Sequence, residues 1–185
     1  MQVQDHSDFL AVCEERAADA LVPDFLRELH HVGQAVRRHG GYIDTYMGDG
    51  LMALFSIQDP DSAALRAVRA GLDMLAAVEQ LNPYLTALYQ RELRIGIGVH
   101  VGDVVVGAVG AGDNRKVTAI GDAVNVASRI EAANKAAGTT FLISEDTYIQ
   151  VQAQVQVNRH IRATLAGKRG LYTLYEVIGV CEPDS

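Results

Sequence analysis

The chain has 185 residues, of which 49% are hydrophobic and 21% charged, and its formal net charge is -7. That length suits one domain with a substantial core, while the acidic balance argues against nucleic acid or an anionic membrane surface as partner. No segment joins basic residues to an apolar run or approaches membrane-spanning length, so a cytoplasmic chain without a membrane partner is expected. Cys13 and Cys181 lie near opposite ends, outside any Cys/His cluster, which argues against a zinc centre.

Met1 to Asp5 suggests a short strand. From Ser7 to His39 apolar residues recur at helical spacing. Pro23 is expected to separate two helices, and Gly40-Gly41 to end the second. Tyr42 to Tyr46 and Leu51 to Phe55 flank Met47-Gly48-Asp49-Gly50, a hairpin signal. Asp59-Pro60-Asp61 opens a long helix whose expected buried stripe is Ala64, Val68, Leu72, Leu75 and Val78. Arg94 to Val99 and Asp103 to Val109 read as strands around a Gly102 turn, followed by a strand at Lys116 to Ile120 and a helix from Gly121 to Ala136. Phe141 to Ser144, Val151 to Val157 and Leu171 to Ile178 read as further strands. Strands and helices mingle, and several adjacent strands suit antiparallel pairing. The expected fold class is therefore an α/β (α+β) sandwich, a mixed and mainly antiparallel sheet flanked by helices. It forms a single domain over 1–180, with a C-terminal tail at 181–185.

Two features suggest chemistry. Asp5 follows the first strand and Asp49 occupies the hairpin turn, and neighbouring strands of one sheet would bring them together. Paired carboxylates on rigid backbone are the minimum grip on Mg²⁺ or Mn²⁺, although Asp-Gly is also ordinary turn chemistry. In Gly121 to Ile130, Asn125 and Arg129 stand four residues apart among valines and alanines, on one helical face. An amide beside a guanidinium suits a ribose and a phosphate, although such a pair is also what an ordinary exposed face carries. The six histidines are scattered with no metal spacing.

These segments together resemble the class III nucleotidyl cyclase catalytic domain, the family of adenylyl and guanylyl cyclases. Asp5 and Phe9 agree loosely with its first metal motif, and Gly40 to Phe55 follows the second closely. Arg94 to Gly102 and Thr118 to Arg129 are also close. The resemblance implies a ferredoxin-like core and two divalent metal ions, Mg²⁺ or Mn²⁺, on Asp5 and Asp49. It implies further that the backbone at His6, Ser7, Asp8 and Phe9 lies against the triphosphate, that Asn125 orients the ribose, and that Arg129 stabilises transition-state charge. Lys168 sits where the family often has a lysine for the terminal phosphates, and Arg169 competes with it. The family builds each site between two chains, and this chain carries both sets, so a homodimer with two interfacial sites is implied. The reaction implied converts a nucleoside triphosphate to a 3′,5′-cyclic nucleotide and pyrophosphate.

The base-reading positions depart from the family pattern. Adenylyl cyclases commonly place lysine, and guanylyl cyclases glutamate, where this chain has Thr45; the partner position holds Thr118. Threonine lacks the reach and charge of lysine. The favoured expectation is a pyrimidine substrate, UTP or CTP, giving cyclic UMP or cyclic CMP as in the phage-defence branch. The alternatives are an adenylate cyclase making cyclic AMP from ATP, and a non-catalytic dimerisation or nucleotide-binding module.

Overall fold

A computed structural model describes residues 2–4, 32–47, 50–55, 63–90, 92–109 and 116–181. Its elements are β1 (Gln2–Gln4), β2 (Tyr42–Met47), β3 (Gly50–Leu54), α1 (Ala63–Tyr89), β4 (Arg94–Val99), β5 (Val105–Val109) and β6 (Lys116–Ile120). They are followed by α2 (Asp122–Ala137), β7 (Phe141–Ser144), α3 (Glu145–Val151), β8 (Val155–Ala163) and β9 (Tyr172–Val180). A further helical stretch covers 32–38. It stops at Gly40, whose φ of 70° is left-handed, and Gly41 N–H donates back to Val36 O at 2.9 Å. The expected helices before residue 32, and Cys13 with them, fall outside the described residues.

Seven strands form one sheet in the order β2-β3-β1-β4-β7-β9-β8, and β5 and β6 form a separate hairpin. In the large sheet only β4 and β7 run parallel; the other neighbours are antiparallel. The order β2-β3-β1-β4 is that of a ferredoxin-like core. Side chains alternate across β7, so Phe141 and Ile143 join the core cluster that holds Ala64, Val68, Met74 and Val78 of α1, while Leu142 joins the one that holds Val126 and Ile130 of α2. Helices thus cover both faces, and β7 is buried on each.

Four details differ from the sequence expectation. In α1, Ala64, Val68 and Val78 are buried as expected, but Leu72 and Leu75 are only half-buried. The inward line passes through Gly71 and Met74, because the Phe141 ring lies against Gly71 and occupies the space a side chain there would need. Val151 ends a helix rather than opening a strand: Ser144 caps α3 by accepting from Thr147 N–H, and the strand runs Val155–Ala163. Gly102 is not a hairpin turn, since β4 belongs to the large sheet and β5 pairs with β6. The strand expected from Asp103 begins at Val105.

α2 is seated unusually close to β4. A Cβ on Gly98 would lie 2.3 Å from Glu131 N and 2.5 Å from Ala127 O, both helix backbone. Asn134, fully buried, ties the end of the helix down: its Nδ2 donates to Ile97 O at 3.0 Å and its Oδ1 accepts from Thr139 Oγ1 at 2.8 Å. Beyond β4, His100 Nδ1 lies 2.9 Å from Ser144 Oγ, which lies 3.0 Å from Thr147 Oγ1. Val101 N–H donates to that same threonine oxygen at 3.1 Å. Burial pushes the His100 pKa down, against the opposing pull of the Asp146 carboxylate.

Gly98→Ala should therefore force the helix off the strand and cost roughly 2 kcal/mol or more, read as a lower denaturant midpoint. The His100 shift predicts a pH slope. The unfolded chain takes up a proton near the ordinary histidine value of 6.5 and the folded chain does so only at lower pH. This contribution is full above that value and is lost as pH falls below it, by at most about 1.4 kcal/mol per pH unit. His100→Asn should flatten the fall in stability between about pH 7 and 5 seen in chemical denaturation.

Candidate active site

β1 and β3 are antiparallel neighbours with Gln2 opposite Gly50. The chain leaves β1 at Gln4 and enters β3 at Gly50, so that exit and that entry share one end of the sheet. Asp5, His6, Ser7, Asp8, Phe9 and Asp49 lie outside the described residues. A pair of aspartates is a hard oxygen donor set of the kind Mg²⁺ or Mn²⁺ requires. Among the described residues, no group of three or more His, Cys, Asp or Glu is arranged to hold a metal.

α2 begins after Gly121 and presents Asp122, exposed Asn125 and half-buried Arg129 within its first two turns. Spacings of three and four residues keep the three on one side. The turn before β9 comes up against them. Leu165 is buried beside Val126 and Ile130 and anchors this turn, in which Lys168 N–H donates to Leu165 O at 2.9 Å. Gly167 lies against Arg129, such that a Cβ there would sit 3.4 Å from Nη2. The Lys168 ammonium pairs with the Asp122 carboxylate, and only 18% of the Lys168 side chain is exposed. The hydrogen bond from Lys168 holds the Asp122 carboxyl below the usual carboxylate range, with Arg129 adding to the effect. Lys168 thus lies against Asp122, and its neighbour Gly167 against Arg129, at the start of the helix that carries Asn125, and Arg169 is left exposed. Asp122 was not anticipated, although its place three residues before Asn125 was the available signal.

Thr118 is tied to the residue that precedes Thr45, one that sequence reasoning passed over. The β2–β3 pairing slips between Ile43 and Thr45, so Asp44 is the extra residue of a bulge. Bulges re-aim a side chain, and here the carboxylate is directed at β6. Its Oδ2 accepts from Thr118 Oγ1 at 2.8 Å and its Oδ1 accepts from Ala119 N–H at 3.1 Å. Asp44 is 3% exposed, and these two donors offset the cost of burying its charge. The neighbouring Thr45 hydroxyl donates to Tyr46 O at a long 3.4 Å. The only sequence signal for Asp44 was an acid set inside an apolar strand.

The β5–β6 hairpin exposes apolar side chains, with Val105 opposite Ile120 and Val109 on the same face. Val105 is 73% exposed, and Val106, Val109 and Ile120 are exposed with it. No helix of the described residues is long and apolar enough to cross a membrane.

Residues 3–178 match the family model described as the adenylate and guanylate cyclase catalytic domain. Adenylate cyclase 1 of Rhizobium meliloti is 33% identical over 177 residues, which cover 95% of this chain and 27% of that protein. The adenylate cyclase of Anabaena cylindrica is 35% identical over 79% of this chain and 30% of its own length. This chain thus spans less than a third of either relative. Among solved structures, the guanylyl cyclase Cya2 superposes with a TM-score of 0.85 at 28% identity, covering 98% of this chain and 90% of that one. The adenylyl cyclase CyaB from P. aeruginosa gives 0.79 at 25% identity, covering 96% and 90%. On the match across nearly its whole length, the chain belongs to the adenylate and guanylate cyclase catalytic domain family, and its fold is that of a nucleotide cyclase.

Proposed function

We propose that two copies of this chain form two equivalent sites, each closing ATP into 3′,5′-cyclic AMP with release of pyrophosphate. The observation that carries the cyclisation reading is the grouping of Asn125, Arg129 and Lys168 on one patch at the start of α2. ATP is preferred to a pyrimidine nucleotide because the relatives of named activity at 33% and 35% identity are adenylate cyclases. No comparison supports UTP or CTP, and the pyrimidine expectation rests on Thr45 standing where adenylyl cyclases carry lysine and on the brevity of the domain.

In this reading Asp5 and Asp49 hold two divalent cations, Mg²⁺ or Mn²⁺, which when bound supply charge neutralisation at the triphosphate and favour loss of the 3′-hydroxyl proton. The other residues act by position. Asn125 hydrogen-bonds the ribose and aims its 3′-oxygen in line with the α-phosphorus. The new O3′–P bond forms as the α–β bridging P–O bond breaks, and the hydroxyl proton leaves to solvent. Arg129 offers its planar donors to the oxygens of the crowded α-phosphorus. Lys168 exchanges the Asp122 carboxylate for the terminal phosphates, and the backbone of His6 through Phe9 lies along them. Thr45 and Thr118 face the base.

Two copies are needed because the metal-binding aspartates and the Asn125–Arg129 pair serve opposite sides of each site. The exposed valines of the β5–β6 hairpin support an apolar contact between copies. A symmetric pairing of one surface with itself then yields two sites.

Incubation with Mn²⁺ and each of ATP, GTP, UTP and CTP, with products identified by mass, should give cyclic AMP as the main product. Cyclic UMP or cyclic CMP in excess would overturn the choice of base, and no cyclic product from an intact dimer would overturn the enzyme reading. Arg129→Ala should lower kcat by on the order of a hundredfold or more while leaving the dimer intact in light scattering. Unchanged turnover would remove Arg129 from the site.

A further inference from the structure

We propose that Asp44 sets base preference by fixing the direction of the Thr118 hydroxyl, so that the site takes a base with an amino group at purine C6 or pyrimidine C4 over one with an oxo group at that position. The proposal deepens the reading above and rests on Thr118 facing the base. Asp44 is a positioning residue here, acting through Thr118 without touching the nucleotide.

A threonine hydroxyl has one proton and two lone pairs, and an ionised carboxylate can only accept. Thr118 Oγ1 lies 2.8 Å from Asp44 Oδ2, so its single proton is committed inward. The other carboxylate oxygen accepts from Ala119 N–H at 3.1 Å, which holds the carboxylate in this orientation. Turning the proton outward would strip a donor from a carboxylate that is 3% exposed, and a buried acceptor without its donor is costly. What remains for a ligand on half-buried Thr118 is therefore a lone pair. A lone pair accepts from the amino group of adenine or cytosine and meets the carbonyl oxygen of guanine or uracil as a second acceptor. The β-bulge between Ile43 and Thr45 places the carboxylate against β6, so the device belongs to the backbone as much as to the side chains.

The cleanest pair is CTP against UTP, which differ at the ring only in this amino or oxo group and the attendant ring proton. Affinities of the four α,β-methylene triphosphates, measured by calorimetry with Mn²⁺, read the preference without requiring turnover. Wild type should favour the cytosine over the uracil analogue, and adenine over guanine, by on the order of tenfold. Asp44→Asn keeps the shape while its amide donates to Thr118 and its oxygen still accepts from Ala119 N–H, which frees the hydroxyl proton. That variant should lose or invert the cytosine preference. Thr118→Val, which removes the hydroxyl and leaves Asp44 in place, should bring the ratio toward one. Asp44→Asn introduced on top of Thr118→Val should then move the ratio no further.

A wild-type ratio at or below one, or an Asp44→Asn variant that weakens all four analogues alike, would overturn the proposal. Should Asp44→Asn fail to fold, a Thr118→Val ratio equal to wild type is sufficient to overturn it. Failure to bind any of the four would overturn it as well. Selective binding without any cyclic product would leave the role of Asp44 standing and remove the enzyme reading.

Discussion

The close seating of α2 on β4 is the constraint on which the candidate site depends. Helix and strand backbones touch at Gly98, where any side chain would collide with Ala127 O and Glu131 N. Asn134 closes the far end of the same contact, with its side chain spent on Ile97 and Thr139. A helix held by backbone contact cannot slide or roll to accommodate a neighbour. Asn125 and Arg129 therefore stand at a fixed height above the sheet, as positioning without reorganisation requires.

That fixed helix also explains how a chain of net charge -7 can offer a place for a triphosphate. The cations are few and local. Arg129 lies against Gly167, and Lys168 is held by Asp122 in the first turn of the same helix. The pair keeps the lysine ordered while its proposed ligand is absent, and an exposed carboxylate is a weak competitor for it. At the hairpin edge the logic is reversed, since Asp44 is buried and its two donors hold β2 against β6. The acidic surface and the cationic patch are thus compatible because each works over a few ångströms in a screened solvent.

Much of this was legible from residue order. The β2–β3 pairing, strands β4, β6 and β7, and α2 follow from periodicity and glycine placement. The grouping of Asn125 with Arg129 follows from a spacing of four. Other features depend on partners far away in sequence. Val151, Val155 and Val157 alternate with polar residues as a strand would, yet the Ser144 cap followed by Glu145-Asp146 already marked a helix start. The apolar runs on either side of Gly102 look like one hairpin, but burial separates them: β4 lies inside the large sheet while β5 keeps its valines exposed. Asp44 was hidden because a one-residue bulge has no local signature, and it alone turns a strand acid inward to meet Thr118 from 74 positions away.

In the proposed dimer each site is completed by two copies of the chain, aspartates from one and Asn125 with Arg129 from the other. The most direct test mixes Asp49→Asn with Arg129→Ala, each inactive alone, and follows cyclic nucleotide formation. Random pairing makes half the dimers mixed, each with one intact site of two, so about a quarter of wild-type activity is expected to return. No recovery, while native mass spectrometry shows the mixed dimer present, would contradict a site shared between chains.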